Sequence, residues 1–269
     1  MKFSEYSRKI NCKPICKTEQ SEIFLTEKKT ICKNYFNLND KNNELYFYKL
    51  FNEKNLLETP KVYQVGDDFI EIEFLRKKEP FDLTRTVKEI SKLYKKTWNT
   101  KLPIKNLDLS KEKLFYRLNY LKDEVKKREV NPNILEKSKR FIENTYSQSM
   151  ERCIVHGDLK SVHVFSTEEG SIKFIDFALS GIANPWYDLS FFYMEEQEDK
   201  RKVFDKIIDL SFVNFEESLK LKKEKIYDYL RSSIFYRTLY FFGFALRHRP
   251  QKSLDRTIKE LNEIIDMEI

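Results

Sequence analysis

Short apolar runs bounded by polar or turn-forming residues predict strands in the first part of the chain. The predicted strands there are Ile23–Leu25, Thr30–Tyr35, Val62–Val65 and Phe69–Phe74. The last two flank Gly66-Asp67-Asp68, which is a hairpin turn signature. Together with a helix predicted at Asn43–Phe51, this pattern indicates a small β-rich lobe over residues 1–75.

Helical periodicity replaces this strand pattern from residue 81 onward. Apolar residues at helical spacing predict segments around Val87–Trp98, Leu114–Val125, Ile134–Ile142, 201–218, 222–247 and 252–268. The aromatic-rich stretch 226–247 predicts a buried central helix. These helices indicate a larger C-terminal lobe, and we interpret their apolar stripes as core.

Three short apolar runs interrupt the helical pattern between residues 153 and 177. Cys153–Val155 and Ile172–Ile175 each lead to an aspartate. Val162–Phe165 predicts a third strand, followed by a turn at Glu168-Glu169-Gly170. The stretch therefore predicts strands whose ends bring acidic side chains together.

The residues at these strand ends are chemically unusual for the chain. Asp158 and Asp176 follow the two outer runs, and two of only three histidines, His156 and His163, lie in the same stretch. Phosphoryl transfer uses one carboxylate to orient the attacking hydroxyl and another to hold Mg²⁺ against the nucleotide phosphates. Asp158 and Asp176 match these two requirements. His163, five residues after Asp158, would complete the metal site.

The order His-x-Asp-x-x-x-x-His, followed by Ile-Asp-Phe, resembles the catalytic and metal-binding loops of the kinase superfamily. His-Gly-Asp-Leu with a later Asn-Pro-x-Tyr-Asp-Leu resembles the aminoglycoside phosphotransferase and choline kinase family, closest to the 2″-phosphotransferase-like enzymes. The resemblance implies an α+β, bilobal, protein-kinase-like fold. Residues 1–77 would form the nucleotide-clamping lobe, and residues 78–269 the catalytic and acceptor-binding helical lobe.

One position departs from the superfamily pattern. Most of the superfamily has Asn where this chain has His163. Imidazole is a softer ligand than the oxygens that Mg²⁺ prefers. We therefore expect activity with Mn²⁺ as well as Mg²⁺, with ATP or GTP as phosphate donor.

The resemblance also implies nucleotide-binding residues in the small lobe. Lys33 would contact the α- and β-phosphates with Glu44 as its partner, and Lys29 is the alternative lysine. Thr18 and Ser21 lie in the expected phosphate-covering loop, which contains no glycine. The hinge, whose backbone groups would contact the purine of the nucleotide, is expected at Glu73, Phe74 and Leu75.

Further roles follow from the same resemblance. Asp158 would accept the hydroxyl proton, and Lys160 would neutralise charge on the transferred group. His156 and Asp188 would brace the catalytic loop. The residues expected at an acceptor-binding surface are Trp186, Glu195, Glu196 and Glu198.

Two alternatives to a small-molecule kinase stay open. Lys160 stands where Ser/Thr protein kinases place a phosphate-contacting lysine, which favours an atypical protein kinase. The short interval between Asp176 and Asp188 leaves no room for an activation segment, which favours a small alcohol. A catalytically weak nucleotide-binding pseudokinase is the third class.

Composition limits the other possibilities. The 41% hydrophobic and 14% aromatic content is typical of a folded protein, and the four cysteines form no disulfide or zinc pattern. The net charge is +7, and the basic residues are scattered among acidic ones, so nucleic acid is not expected as a partner. No long apolar run occurs, and we expect a cytoplasmic monomer or weak dimer without membrane insertion.

Overall fold

The computed structural model describes residues 1–77, 79–102, 104, 107, 111–145, 152–167, 170–219 and 221–267. The elements up to residue 97 are helix α1 (Phe3–Lys9), strands β1 (Cys12–Lys17), β2 (Ser21–Thr26) and β3 (Thr30–Tyr35), helix α2 (Leu38–Glu53), strands β4 (Val62–Val65) and β5 (Phe69–Glu73), and helix α3 (Leu83–Lys96). The predicted strands in this part of the chain are confirmed, whereas α1 and β1 were not predicted.

The elements that follow are helices α4 (Lys111–Lys127) and α5 (Asn133–Thr145), strands β6 (Cys153–Val155), β7 (Val164–Ser166), β8 (Ile172–Phe174) and β9 (Gly181–Ala183), and helices α6 (Trp186–Glu195), α7 (Lys200–Leu219), α8 (Lys223–His248) and α9 (Gln251–Ile265). The expectation of a small β-rich N-terminal region and a larger, mostly helical C-terminal region is confirmed.

The strand predicted at Val162–Phe165 was partly wrong. Its first half forms a 3₁₀ turn, Ser161–His163, and only Val164–Ser166 pairs with β8. The backbone turns because the His163 N–H donates to the Lys160 carbonyl at 3.0 Å instead of to a neighbouring strand. Of the predicted turn that follows, Glu168 and Glu169 lie outside the described residues.

The chain forms two compact units, and it passes between them near residues 97–98, 153–154 and 181–182. The first unit contains residues 1–97 and 154–181, and the second contains residues 98–153 and 182–269. These units are defined by internal packing, so the functional division at residue 77 stays a prediction.

The first unit is built around a five-stranded antiparallel sheet with the order β1-β2-β3-β5-β4. Strand β3 is central, and its Lys33 lies opposite Ile23 of β2 and Ile70 of β5. Because successive side chains of a strand point to opposite faces, Cys32 and Lys33 face different neighbours. Cys32 packs in a cluster with Phe3, Tyr6, Ile10 and Phe69, whereas Lys33 faces Glu44 of α2.

The second unit has helix α8 at its centre. This helix is buried along most of its length and packs against α4, α6, α7 and α9, which confirms the predicted central helix. Aromatic side chains fill the core, with ring centroids 4.2 Å apart for Phe141 and Phe235 and 5.0 Å apart for Trp186 and Tyr229.

Candidate active site

Histidine 156 fixes the loop that follows β6. Its side chain is fully buried; Nε2–H donates to the Ile175 carbonyl at 2.7 Å, and Nδ1 accepts from the Asp158 N–H at 3.3 Å. Burial, reinforced by His163, lowers the pKa of His156 to about 4, so the imidazole is neutral at pH 7. One ring therefore holds the backbone next to Asp158 and next to Asp176 at the same time.

The tight turn after His156 requires a glycine. Gly157 has φ +86°, a conformation that L side chains rarely adopt. A Cβ atom at this position would lie 2.1 Å from the carbonyl oxygen of Leu179. The absence of a side chain thus lets the loop pack directly against the backbone that follows Asp176.

The lowered pKa of His156 predicts a pH effect on stability. The folded imidazole binds its proton only near pH 4, whereas an unperturbed histidine binds one near 6.5. Because the unfolded chain then binds more protons, stability should fall as pH falls from 6.5 towards 4. We expect a loss on the order of 1–2 kcal/mol between pH 7 and 5, measured by denaturant unfolding.

The control for this pH effect uses the exposed histidine of α8. His156→Asn should reduce the pH-dependent part of the unfolding free energy, while His248→Asn should leave it unchanged. An equal pH dependence in the wild type and His156→Asn would contradict the assignment.

His163 lies between the two predicted carboxylates. Its Nδ1–H donates to the Asp158 carbonyl at 2.7 Å and is 3.8 Å from Asp158 Oδ2, and its Nε2 is 3.6 Å from Asp176 Oδ2. In the neutral ring, this hydrogen bond places the proton on Nδ1 and leaves the lone pair on Nε2, where it is available to a cation.

The side chains of Asp176 and His163 fit a divalent cation site. Across the described parts of the chain, no three His, Cys, Asp or Glu side chains converge on a preformed metal site. Mg²⁺ does not require one, because it is commonly bound through one or two protein ligands together with substrate phosphates and water. Asp176 Oδ2 and His163 Nε2 are a donor pair of this kind.

Asp176 follows β8 with a left-handed backbone, φ 67° and ψ 63°. Its Oδ1 accepts from Lys33 Nζ at 2.8 Å. Burial alone would raise the pKa of Asp176, but the charge of Lys33 lowers it below its ordinary value. The carboxylate therefore stays ionised at neutral pH.

Lys33 is shared by two carboxylates. Its Nζ lies 2.8 Å from Glu44 Oε2 and 2.8 Å from Asp176 Oδ1. Burial alone would lower the pKa of Lys33, but Glu44 and Asp176 raise it above its ordinary value. The predicted partnership of Lys33 with Glu44 is present, whereas the alternative, Lys29, lies in the exposed turn before β3.

Glu44 is held from both sides of its carboxylate. The hydroxyls of Tyr35 and Tyr48 donate to it at 2.7 and 3.0 Å, respectively. Burial and the Glu44 charge raise the pKa of both phenols well above the ordinary value, so they remain donors. Neither tyrosine was identified from the sequence; Tyr35 is the last residue of β3, and Tyr48 lies one helical turn after Glu44 on α2.

Lys160 contacts the carboxylate of Asp158 directly. The distance from Nζ to Asp158 Oδ2 is 2.8 Å, and both side chains are partly exposed. The structure therefore places a cation beside the group predicted to receive the hydroxyl proton.

The predicted phosphate-covering loop is the turn between β1 and β2. Thr18 Oγ1 accepts from the N–H groups of Gln20 and Ser21 at 3.2 and 3.0 Å. Ser21 itself is buried at the start of β2. The hydroxyl of Thr18 thus stabilises the turn, a use that the sequence did not indicate.

The predicted hinge residues lie at the end of β5, where Glu73 is the last residue of the strand and Phe74 and Leu75 follow it. Glu73 accepts from Lys173 of β8 at 3.0 and 2.8 Å and from the Lys61 N–H at 3.1 Å. Burial would raise the pKa of Glu73, but the hydrogen bonds from Lys173 and Lys61 lower it. Its side chain is therefore engaged within the protein, while Phe74 and Leu75 are half-buried.

The remaining candidates lie in the second unit. Asp188 is fully buried in the first turn of α6, and its role in bracing the loop stays a prediction. Trp186 is also fully buried, packed against Tyr229 and Phe215, so it belongs to the core and does not line an acceptor surface.

The acidic candidates at the C-terminal end of α6 and just beyond it have different environments. Glu196 accepts from the N–H groups of Glu198 and Gln197 at 2.7 and 2.8 Å, which lowers its pKa. Its carboxylate thus stabilises the turn before α7. Glu195 and Glu198 are exposed, whereas Glu196 is half-buried.

Comparison with known proteins identifies the family. The family model described as the phosphotransferase enzyme family matches residues 37–208, and the chain belongs to this family. A second family model, SLIDE, matches residues 165–269, which is less than half of the chain. No match was found among curated proteins.

Solved structures show the same fold at low identity. The ADP-bound aminoglycoside phosphotransferase APH(2'')-Ib is similar with a TM-score of 0.70 and 12% identity, covering 98% of both chains. The GDP and kanamycin complex of APH(2'')-IIIa gives 0.68 and 12%, covering 94% of this chain and 92% of that one. Choline kinase from Cryptosporidium parvum Iowa II gives 0.62 and 14%, covering 96% and 90%. The kinase-like fold expected from the sequence is confirmed.

No helix in the described part of the chain is both long and apolar enough to cross a bilayer.

Proposed function

We propose that this protein transfers the γ-phosphoryl group of ATP or GTP to a hydroxyl of a small molecule. The observation that carries the proposal is the position of His163, whose ring nitrogens lie 3.8 Å from Asp158 Oδ2 and 3.6 Å from Asp176 Oδ2. A base for the hydroxyl and a cation-binding carboxylate thus meet at one imidazole. Membership of the phosphotransferase family supports the same reaction.

In this proposal Asp158 orients the acceptor hydroxyl and receives its proton. The hydroxyl oxygen forms a bond to the γ-phosphorus, and the bond from that phosphorus to the bridging oxygen breaks to release the nucleoside diphosphate. Lys160, 2.8 Å from Asp158, stabilises the negative charge on the group in transfer. Positioning and electrostatics supply most of the rate enhancement in such reactions.

Residues of the first unit would bind the donor. Lys33 contacts the α- and β-phosphates, the backbone of Phe74 and Leu75 meets the base, and the Thr18–Ser21 turn covers the phosphates. Asp176 and His163 would hold Mg²⁺ or Mn²⁺, which when bound neutralises charge on the phosphates. Glu44 and His156 act indirectly, because they position Lys33 and the Asp158 loop.

The acceptor class is proposed from chemistry and from the relatives. A kanamycin complex and a choline kinase share the fold, and both names refer to cationic alcohols. Glu195 and Glu198 can attract such a cation to the second unit. We further propose a monomer or weak dimer in the cytoplasm, with no nucleic acid partner.

The test is a phosphotransfer screen with the purified protein. ATP and GTP, each with Mg²⁺ or Mn²⁺, are combined with aminoglycosides, choline, ethanolamine, sugars and a generic protein substrate. We expect one small alcohol to gain one phosphoryl group, detected by mass spectrometry and by nucleoside diphosphate release.

The competing functions predict other outcomes of the same screen. A pseudokinase would be stabilised thermally by nucleotide without any transfer. Labelling of the protein substrate alone would favour an atypical protein kinase, which Lys160 beside Asp158 makes worth testing.

A further inference from the structure

An amide on α2 contacts the segment that follows Asp176. The Nδ2 of Asn43 lies within hydrogen-bonding distance of three carbonyl oxygens, those of Phe177 at 3.4 Å, Ala178 at 2.8 Å and Ser180 at 3.1 Å. A primary amide has only two N–H hydrogens, so the three carbonyls share them. Asn43 thus binds one short stretch of backbone at several points.

The turn that carries these carbonyls satisfies only the first of them itself, because the Phe177 carbonyl accepts from the Ser180 N–H at 3.0 Å. Residues Phe177–Leu179 form a single 3₁₀ turn, and the carbonyls at a helix end have no partner within the helix. Phe177, Ala178 and Ser180 are buried, where an unsatisfied carbonyl is costly. The amide of Asn43 supplies the donors that this turn needs.

The same segment is connected to the Asp158 loop. Ser180 Oγ donates to the His156 carbonyl at 2.8 Å, while the His156 ring holds the Asp158 N–H and the Ile175 carbonyl. A continuous path of hydrogen bonds therefore runs from α2 through residues 177–180 to the loop that carries Asp158.

Helix α2 holds the Asp176 region through two consecutive residues. Asn43 binds the backbone just after Asp176, and Glu44 binds Lys33, which in turn contacts the Asp176 side chain. Tyr48 and Phe51 of the same helix pack on Phe177, with ring centroids 5.3 and 4.9 Å away. The left-handed backbone of Asp176 is a conformation that persists only when its surroundings impose it.

We propose that Asn43 is a positioning residue that fixes the Asp176 carboxylate relative to Lys33 and His163. This inference rests on the proposed phosphotransfer function. Loss of the amide donors would shift the Asp176 turn while leaving the nucleotide contacts of Lys33 in place. Turnover and the cation requirement should therefore change more than nucleotide affinity does.

The substitution that tests this is Asn43→Asp, which keeps the size of the side chain and places a carboxylate oxygen against the carbonyls. We expect kcat to fall about 10- to 100-fold, since small misplacements of reacting groups have effects of this order. The nucleotide Kd should stay within about threefold, and the Mg²⁺ concentration for half-maximal activity should rise several-fold. Asn43→Ser removes the donors without adding charge and should show the same pattern more weakly.

The neighbouring residue provides a matched control. Asn42 lies on the same helix turn but is exposed. Asn42→Asp introduces the same charge on the same helix, so it should leave kcat and the Mg²⁺ requirement unchanged. An Asn43→Asp enzyme that folds and retains kcat within twofold would overturn the proposal, as would an equal loss in Asn42→Asp.

A second measurement does not depend on catalysis. Amide hydrogen exchange should be at least about tenfold faster across residues 177–181 in Asn43→Asp and Asn43→Ser, but not in Asn42→Asp. Unchanged exchange in the Asn43 variants would overturn the positioning role. If the wild type transferred phosphate to no acceptor, the proposed function would fail, and exchange would still decide whether Asn43 holds the turn.

Discussion

Asp158→Asn should lower kcat by about 10³-fold or more while the nucleotide Kd changes by less than about threefold. The amide keeps the shape of the side chain but cannot accept the hydroxyl proton. In the wild type, Lys160 Nζ lies 2.8 Å from Asp158 Oδ2. The amide would lose this charge attraction without moving the backbone. Steady-state kinetics with the best acceptor and calorimetric titration with nucleotide would separate the two effects.

The control for this substitution is an exposed aspartate far along the chain. Asp123 lies on α4 with an exposed side chain, and Asp123→Asn should leave kcat unchanged. A loss of only a few-fold in Asp158→Asn would refute the role of Asp158 as proton acceptor.

Lys33→Met should damage both activity and stability. It removes the cation that Glu44 and Asp176 share, and Glu44 is 1% exposed. Removing one partner of a buried ion pair commonly costs about 3–5 kcal/mol, and we expect the lower end because Tyr35 and Tyr48 still donate to Glu44. Turnover should fall at least about 10²-fold through lost contacts to the phosphates.

A second substitution separates the two losses. Lys33→Met combined with Glu44→Gln removes the unpaired buried charge but keeps a polar partner for the Tyr35 and Tyr48 hydroxyls, so it should recover part of the unfolding free energy without recovering activity. Lys13→Met changes an exposed lysine of strand β1 and should alter neither quantity. Recovery of turnover in the double variant would show that Lys33 has a purely structural role.

Much of the candidate site could be predicted because its residues follow short apolar strands. Asp158 and Asp176 follow shortly after β6 and β8, and Lys33 lies within β3, so the order of these runs together with the family resemblance identified all three. The helix that carries Glu44 was predicted to begin at Asn43, whereas it begins at Leu38 after the Asn37 cap. Helix ends depend on one polar side chain, which periodicity does not reveal.

Other features depended on tertiary contacts. Phe3 and Tyr6 of α1 and Ile10 at its C-terminal cap have helical spacing, which is a short signal, and the Tyr6 hydroxyl donates to buried Glu71 at 2.6 Å. The burial of Trp186 and the cap made by Glu196 could not be read from composition, because an aromatic or acidic residue suits a core or turn as well as a ligand surface.

The contacts of Asn43 illustrate the limit from another side. Its amide binds carbonyls of residues 177–180, more than a hundred positions along the chain. Backbone acceptors carry no sequence signature, so a side chain that binds them is visible only once the fold is known.

The threonine-stabilised turn between β1 and β2 has a consequence for ligand affinity. Thr18 already orders the Thr18–Ser21 turn in the folded protein. A triphosphate that binds there would not have to immobilise a flexible loop, so the entropic cost of binding at this turn should be small. Two of its N–H groups are already occupied by that hydroxyl, however, so the tip offers fewer donors than a glycine-rich loop does. Binding of the phosphates should consequently depend mainly on charged side chains. The affinity for the nucleotide should therefore fall steeply as ionic strength increases.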